Sequence, residues 1–203
     1  LSAIGISKLE VENSFINYFR KHTEIYQGLK RVDETLGGTT PLEIVLKFPS
    51  TEVKTGTGSS DLDAEMFGDE PGQKSDTWFT ADKIARIKQV HDYVAAVPGV
   101  GTVMSLASIV RVAEDLNKGR EFDPFELNVI YKRLPAALRD ELLTPYINIE
   151  ADEARISLRI LDSTQDLRRQ ALLKKINEGL QQDLKLKPEE FEVSGLLVLY
   201  NNM

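Results

Sequence analysis

The chain has 203 residues, of which 41% are hydrophobic and 28% charged, and its formal net charge is -7 at pH 7. These values are ordinary for a folded protein with one domain or two small ones, and they exclude wholesale disorder. The acidic balance argues against nucleic acid as a partner, because duplex binders need a basic surface, and the absence of cysteine excludes disulfides and thiolate metal sites.

The first part of the chain alternates between strand and helix patterns. Residues 6–12 alternate weakly between apolar and charged residues, which predicts a short strand. Apolar residues recur every three or four positions over 23–36, and Gly37-Gly38 follows, so we expect an amphipathic helix with a left-handed end. Strict alternation over 41–48 then predicts a second strand.

An acidic segment at 50–79 interrupts this order. It holds two lysines against seven carboxylates, a net charge of -5, and its Gly, Ser and Asp content predicts an exposed loop or inserted lobe. Four large apolar residues lie in or beside it: Met66, Phe67, Trp78 and Phe79. Such groups can contact a hydrophobic cargo, or they can form a small local core that holds the segment in place. Both interpretations remain open at this point.

The middle of the chain is predicted to be mainly helical. Thr80 can cap a helix that ends at Pro98-Gly99, and a strand is expected at 100–106, followed by a helix at 107–117. Asp123, Pro124 and Glu126 place a cap, a first-turn proline and a third-position carboxylate at the start of another helix. Pro135 restarts a helical turn, so 107–144 is expected to form a helical connection.

The last part repeats the earlier alternation. Residues 146–150 and 155–161 predict a hairpin, and Ser163 with Asp166 resembles a capping box for the next helix. A final strand is expected at 191–200. The whole pattern predicts an α+β protein with two ferredoxin-like split βαβ subdomains. We expect a first subdomain at 1–106 with the acidic insert, the helical connection, and a second βαβ element at 145–203.

Several short sequence motifs occur in an order that resembles the periplasmic porter region of resistance-nodulation-division (RND) exporters. The resemblance covers nearly the whole chain and is strongest to the branch that includes mycobacterial-membrane-protein-large and hopanoid-type lipid transporters. The motifs that carry the resemblance are Gly5-Ile6, Leu9-Glu10-Val11-Glu12, Tyr18-Phe19-Arg20, Asp33-Glu34-Thr35-Leu36-Gly37-Gly38, Pro41-Leu42-Glu43-Ile44-Val45-Leu46, Val97-Pro98-Gly99-Val100-Gly101-Thr102-Val103-Met104-Ser105-Leu106 and Val193-Ser194-Gly195-Leu196. The acidic segment at 50–79 departs from the family's pattern.

The resemblance implies a segment of an inner-membrane exporter that faces the periplasm. Its partners would be the membrane helices and second periplasmic loop of the same transporter, together with a hydrophobic small molecule or lipid as cargo. The family's proton-carrying carboxylates lie in membrane helices, so the resemblance implies no catalytic residue, no cofactor and no metal in this chain. The two chain ends are expected to be cuts at the bilayer boundaries, and the isolated fragment is expected to be a monomer.

Two other function classes predict different features in the sequence or in its parent gene. A stand-alone ligand-sensing or protein-interaction module with ferredoxin-like subdomains would show the same order of strands and helices, because fold does not determine function. An extracytoplasmic hydrolase would need a catalytic constellation, and neither a Gly-x-Ser-x-Gly elbow nor an informative carboxylate pair is present. The parent gene distinguishes the first two, since a porter is flanked by membrane helices and a sensor by a signalling domain.

Metal and phosphate sites have weak sequence support. Asp61, Asp63 and Glu65 alternate as calcium ligands can, but the spacing fails the EF-hand pattern, so a solvated acidic loop is expected. His22 and His91 are far apart and are expected to be surface residues. The Gly-Val-Gly at 99–101 leads from a helix into a strand, which predicts a turn and not a phosphate cradle.

Overall fold

A single antiparallel sheet organises the part of the chain that the computed structural model describes, which is residues 19–48, 78–163, 169–195 and 198. The architecture is mixed α+β, as predicted. In chain order the elements are α1 (Glu24–Leu36), β1 (Thr40–Lys47), α2 (Ala81–Ala95), β2 (Val100–Met104), α3 (Leu106–Leu116), α4 (Pro124–Arg133), α5 (Ala136–Leu142), β3 (Ile147–Asn148), β4 (Glu153–Ile160), α6 (Arg169–Gln182), a 3-10 turn (Pro188–Glu190) and β5 (Phe191–Ser194).

The strand order in the sheet is β2-β4-β1-β5, with β3 paired to β4 at one end. Because β1 and β2 both run antiparallel to β4, they are parallel to each other and are connected through α2. Likewise β4 and β5 both run antiparallel to β1 and are connected through α6. Each βαβ unit is therefore split by a strand of the other, and the described strands of the two predicted subdomains share one sheet.

The sheet has one core face and one polar face. Leu42, Ile44 and Leu46 of β1 are at most 1% exposed and pair with Leu158, Ile156 and Ala154 of β4, as strict alternation requires. The opposite face carries charged pairs between neighbouring strands. Lys47 Nζ lies 2.8 Å from Glu192 Oε2, and Arg155 Nε lies 3.7 Å from Glu43 Oε2. Buried side chains of α2, α3 and α6 join the core face in one hydrophobic cluster.

Helix boundaries follow the predicted capping residues. The Thr80 hydroxyl accepts a hydrogen bond from Lys83 N–H at 3.3 Å, and Asp123 and Glu126 form a reciprocal capping box. Gly37 ends α1 with a φ of 67°. The three helices α3, α4 and α5 form the predicted helical connection between β2 and β3.

Three boundaries differ from the prediction. The strand expected at 100–106 ends at Met104, because Ser105 caps α3 through a hydrogen bond from Ala107 N–H at 3.1 Å. The first strand of the hairpin shortens to Ile147–Asn148. The strand expected at 191–200 ends at Ser194, since Gly195 has a φ of 141° and Val198 lies in a helical turn.

Other predictions fall outside the described residues: the strand at 6–12, the acidic segment up to residue 77, and Asp166 of the capping box. Within the described ranges, no helix combines the length and the apolar character that crossing a bilayer requires.

Candidate functional site

An aromatic cluster lies where the acidic segment joins the fold. Phe48 precedes that segment and Trp78 lies near its end, and their rings meet edge to face with centroids 6.2 Å apart. Trp78 also contacts Phe79 at 5.1 Å, and Phe79 contacts Tyr131 of α4 at 5.3 Å. These geometries are the ones that aromatic quadrupoles favour. The cluster therefore holds Phe48, which precedes the acidic segment, beside Trp78 and Phe79 at its end.

Lys83 of α2 strengthens the same junction. Its ammonium lies 5.3 Å from the centroid of Phe48 and 5.1 Å from that of Trp78, within reach of a cation-π attraction. It also pairs with the Asp152 carboxylate, while the Asp152 carbonyl accepts a hydrogen bond from Phe48 N–H at 3.0 Å. One turn residue between β3 and β4 thus anchors both the cation and the strand end.

Asn128 connects the cluster to the helical connection. Its side-chain amide donates to Phe79 O at 3.0 Å and to Pro124 O at 2.8 Å. Its carbonyl accepts from Phe79 N–H at 3.4 Å. The backbone of Phe79 is therefore bound on both sides by a single α4 side chain.

The predicted cargo contacts divide into two pairs. Trp78 and Phe79 are 2% and 3% exposed and belong to the core cluster, while Met66 and Phe67 lie outside the described residues. Trp78 Nε1 is buried and has no hydrogen-bond partner in the described part of the chain. For Trp78 and Phe79, the positions are those of a local core, so cargo could reach their rings only if the core opened. Direct cargo contact by these four residues stays a prediction.

His91 is buried, so the expectation of a surface histidine is wrong. It is 8% exposed on α2, and its Nδ1 lies 2.9 Å from the hydroxyl of fully buried Ser105. Because that hydroxyl also caps α3, the pair joins the two helices. Burial lowers the pKa of His91, the Arg111 guanidinium lowers it further, and the Asp92 carboxylate opposes them. His22, by contrast, is exposed as predicted.

This burial predicts a pH dependence of stability. The folded-state pKa of His91 is below the unfolded value of about 6.5, so the unfolded chain binds the proton more tightly. The free energy of unfolding should therefore be fully retained above about pH 6.5 and should decline as the pH falls toward the folded pKa. We expect His91→Gln to remove this decline and to cost about 1 kcal/mol at pH 7.5 through the weakened bond to Ser105.

Urea unfolding midpoints between about pH 5 and 8 measure this effect, because they report the free energy of unfolding at each pH. His22→Gln is the matched control, since it removes the other histidine of the chain and leaves the contact between His91 and Ser105 in place. An identical decline in His91→Gln and the parent chain would show that other groups cause it.

A close backbone contact joins the end of α1 to β2, and these two places belong to separate motifs of the resemblance. Gly37 O accepts a hydrogen bond from Thr102 N–H at 2.7 Å, and Leu36 O accepts from the Thr102 hydroxyl at 3.1 Å. A Cβ added to Gly101 would lie 2.0 Å from Gly37 O, so no other residue fits there without a backbone shift. We call this contact of Gly37, Gly101 and Thr102 the glycine junction.

A buried carboxylate supports the glycine junction from the helix side. Asp33 is fully buried in α1, and its Oδ1 accepts from the Thr39 hydroxyl at 2.6 Å. Its Oδ2 accepts from Ser163 N–H at 2.8 Å. Both oxygens are thus hydrogen-bonded, which is the condition for keeping such a group inside a protein. The end of α1 is tied in this way to β2 and to the residues after β4.

An open cleft of about 530 Å³ lies between α6 and β5. Its apolar side chains come from Leu173, Phe191, Val193 and Val198, and its polar rim includes Lys174, Asn177 and Gln181. Clefts of this size with a mixed lining accept small amphipathic molecules. No local sequence pattern predicts this cleft, because it joins residues of a helix and a strand that are brought together only by packing.

Metal chemistry has no support within the described ranges, where no group of three or more His, Asp or Glu side chains could hold an ion. Asp61, Asp63 and Glu65 lie outside those ranges. No protein family, no curated protein and no solved structure matches this chain.

Proposed function

We propose that this chain is an extracytoplasmic porter domain of a proton-driven RND-type exporter. In this role it binds and passes hydrophobic cargo, such as lipids or drugs, while membrane helices elsewhere in the transporter carry the protons. It faces the periplasm and works with the membrane helices and the second periplasmic loop of the same protein. It performs no chemical reaction of its own.

The glycine junction is the observation that carries this proposal. Gly37 and Gly101 belong to two separate motifs of the resemblance. In the structure they lie in a contact that only glycine allows. Gly38, with a φ of 106°, lies against the backbone of Ile160. A resemblance due to composition alone would give these glycines no common place. The contact between Gly37 and Gly101 therefore supports the interpretation that these motifs specify a fold.

The strand arrangement supports the prediction of a ferredoxin-like fold. In a ferredoxin-like sheet two βαβ units are split by each other's strands and helices cover one face, and the strand order β2-β4-β1-β5 supports this description. We propose that the described sheet belongs to one ferredoxin-like unit. Its polar face then contacts a neighbouring part of the transporter. Clefts between units of this kind are suited to opening and closing movements.

The exporter assignment is tested with the full parent protein. Its gene should encode apolar helices of about 20 residues on both sides of this segment. Reconstituted in vesicles, it should move a hydrophobic fluorescent dye when a pH gradient is imposed and stop when the gradient is collapsed. Absence of the flanking helices, or movement that ignores the gradient, would overturn the proposal.

The cleft between α6 and β5 is the proposed cargo contact in the described residues. Gln181 lines it and is exposed, so Gln181→Trp should fill the opening without disturbing the core. We expect this change to lower the amount of lipid retained from a membrane extract about tenfold, because the indole would obstruct the opening of the cleft. Native mass spectrometry measures the retained lipid.

Gln182→Trp is the matched control. Gln182 is next to Gln181 in the sequence, and its side chain is exposed but does not line the cleft. It should retain lipid as the parent chain does. Equal retention by both variants would exclude the cleft as the cargo contact and leave the exporter assignment to the transport test.

A ligand-sensing or protein-interaction module remains the second candidate. Leu116 and Phe125 of the helical connection are 84% and 68% exposed, and apolar side chains so exposed favour contact with another protein. A signalling domain in the parent gene, in place of membrane helices, would favour this candidate.

A further inference from the structure

Helix α1 turns its apolar side chains to the outside. Ile25, Val32 and Leu36 are 56%, 46% and 52% exposed, and Leu29 between them is half-buried. The four positions are spaced four, three and four residues apart, so they form one stripe along the helix. An apolar stripe is costly to leave in water, which points to a surface that covers it.

The stripe is separate from the side of α1 that meets the protein. Only Tyr26 and Asp33 of this helix are buried, and they lie roughly a quarter of a turn around the helix from the stripe. The Asp33 hydrogen bonds and the glycine junction hold the helix on that side. The stripe can therefore be covered without releasing α1 from the fold.

The surroundings of the stripe are cationic, although the chain as a whole has a charge of -7. Arg20, Lys21 and Arg31 are exposed, and Lys30 is half-buried beside Glu34 at 3.7 Å. Over 19–36 the four cations stand against three carboxylates, of which Glu24 and Glu34 are exposed and Asp33 is buried. An anionic surface would be attracted to this helix and repelled by most of the chain.

We propose that α1 is a membrane-surface helix that inserts Ile25, Leu29, Val32 and Leu36 into the headgroup layer of an anionic phospholipid bilayer. A short amphipathic helix of low net hydrophobicity, with one apolar stripe and with exposed cations at Arg20, Lys21 and Arg31, has the properties of interfacial helices. The inserted side chains leave water, and the long side chains of Arg20, Lys21 and Arg31 extend toward lipid phosphates. The inference does not depend on the exporter assignment.

Size favours a bilayer over a protein partner. The stripe has four side chains on a helix of 13 residues, whereas stable protein interfaces involve about 20 to 30 residues on each side. A bilayer needs no matching partner surface, because the apolar side chains and the cations act on the lipid independently. The cationic surroundings then select anionic lipid.

The test measures binding of the 203-residue chain to lipid vesicles by flotation. Vesicles that contain phosphatidylglycerol should bind the chain, and pure phosphatidylcholine vesicles should bind it at least about tenfold more weakly. The double variant Val32→Glu and Leu36→Glu should lose at least about tenfold in affinity for the anionic vesicles. Raising the ionic strength from about 0.05 M to about 0.5 M should weaken binding several-fold.

The matched control is Val112→Glu with Leu116→Glu on α3, where the side chains are 59% and 84% exposed. It should bind anionic vesicles within about twofold of the parent chain, since its stripe lies on another helix. Circular dichroism should show that both double variants remain folded, because exposed positions tolerate substitution.

Three results would overturn the inference. The first is no binding to either type of vesicle. The second is an equal loss in the α1 and α3 variants, which would indicate general hydrophobic adsorption. The third is a concentration-dependent dimer in sedimentation velocity that dissociates in the α1 variant alone, which would show that a second copy covers the stripe.

Discussion

Replacing Gly101 by alanine should lower the free energy of unfolding by about 3 kcal/mol. The added Cβ would lie 2.0 Å from Gly37 O and 2.5 Å from its carbonyl carbon, and backbone atoms cannot move aside as a flexible side chain can. Relief requires a shift of β2 away from the end of α1, with loss of the 2.7 Å bond from Thr102 N–H to Gly37 O. Urea unfolding followed by the fluorescence of buried Trp78 measures the change.

Gly28→Ala is the control for this substitution. Gly28 lies within α1, and a Cβ there meets nothing within 4 Å. Because alanine restricts the unfolded chain and favours the helix, this change should raise the free energy of unfolding by about 0.5 to 1 kcal/mol. Equal stabilities for the two alanine variants would contradict the close contact described for the glycine junction.

Replacing Trp78 by alanine should cost about 3 to 5 kcal/mol, since it removes a buried aromatic ring and leaves a cavity between Phe48 and Phe79. Trp78→Phe should cost much less, about 1.5 kcal/mol, because it keeps a ring in the cluster and removes the indole N–H, which has no partner in the described structure. Circular dichroism during urea unfolding is the suitable measurement, as Trp78 is the only tryptophan of the chain.

Phe125→Ala provides the matched aromatic control. Its ring is 68% exposed, so the change should stay within about 0.5 kcal/mol of the parent chain. If Trp78→Ala were equally mild, the cluster would not hold the fold. The expected loss also affects cargo experiments, because lipid binding lost in Trp78→Ala would report unfolding unless the variant is first shown to be folded.

The type of most described elements could be predicted because their signals are local. The alternation in β1, the Thr80 cap and the Asp123–Glu126 box each involve neighbours in the sequence, and each predicts the observed element. The end of β5 was missed because the apolar run after Ser194 fits a strand or a helix equally well. Gly195, with a φ of 141°, ends the strand.

The relation between distant elements could not be predicted in the same way. That β1 lies between β4 and β5 depends on pairings between residues far apart in sequence, which no periodicity specifies. His91 did carry a usable signal, since it follows Ile87 by four residues and precedes Val94 by three on the buried side of α2. The cleft between α6 and β5 had no such signal.

The contact between the rings of Phe48 and Trp78 also makes the chain a convenient host for foreign sequence. Phe48 and Trp78 lie side by side although residues 49–77 separate them in the sequence, and each doubling of the length of a connecting loop costs only about 0.6 kcal/mol of closure entropy. A compact reporter domain whose own ends lie close together could be grafted between these two aromatic residues. Changes of length between Phe48 and Trp78 should therefore leave the paired strands in place.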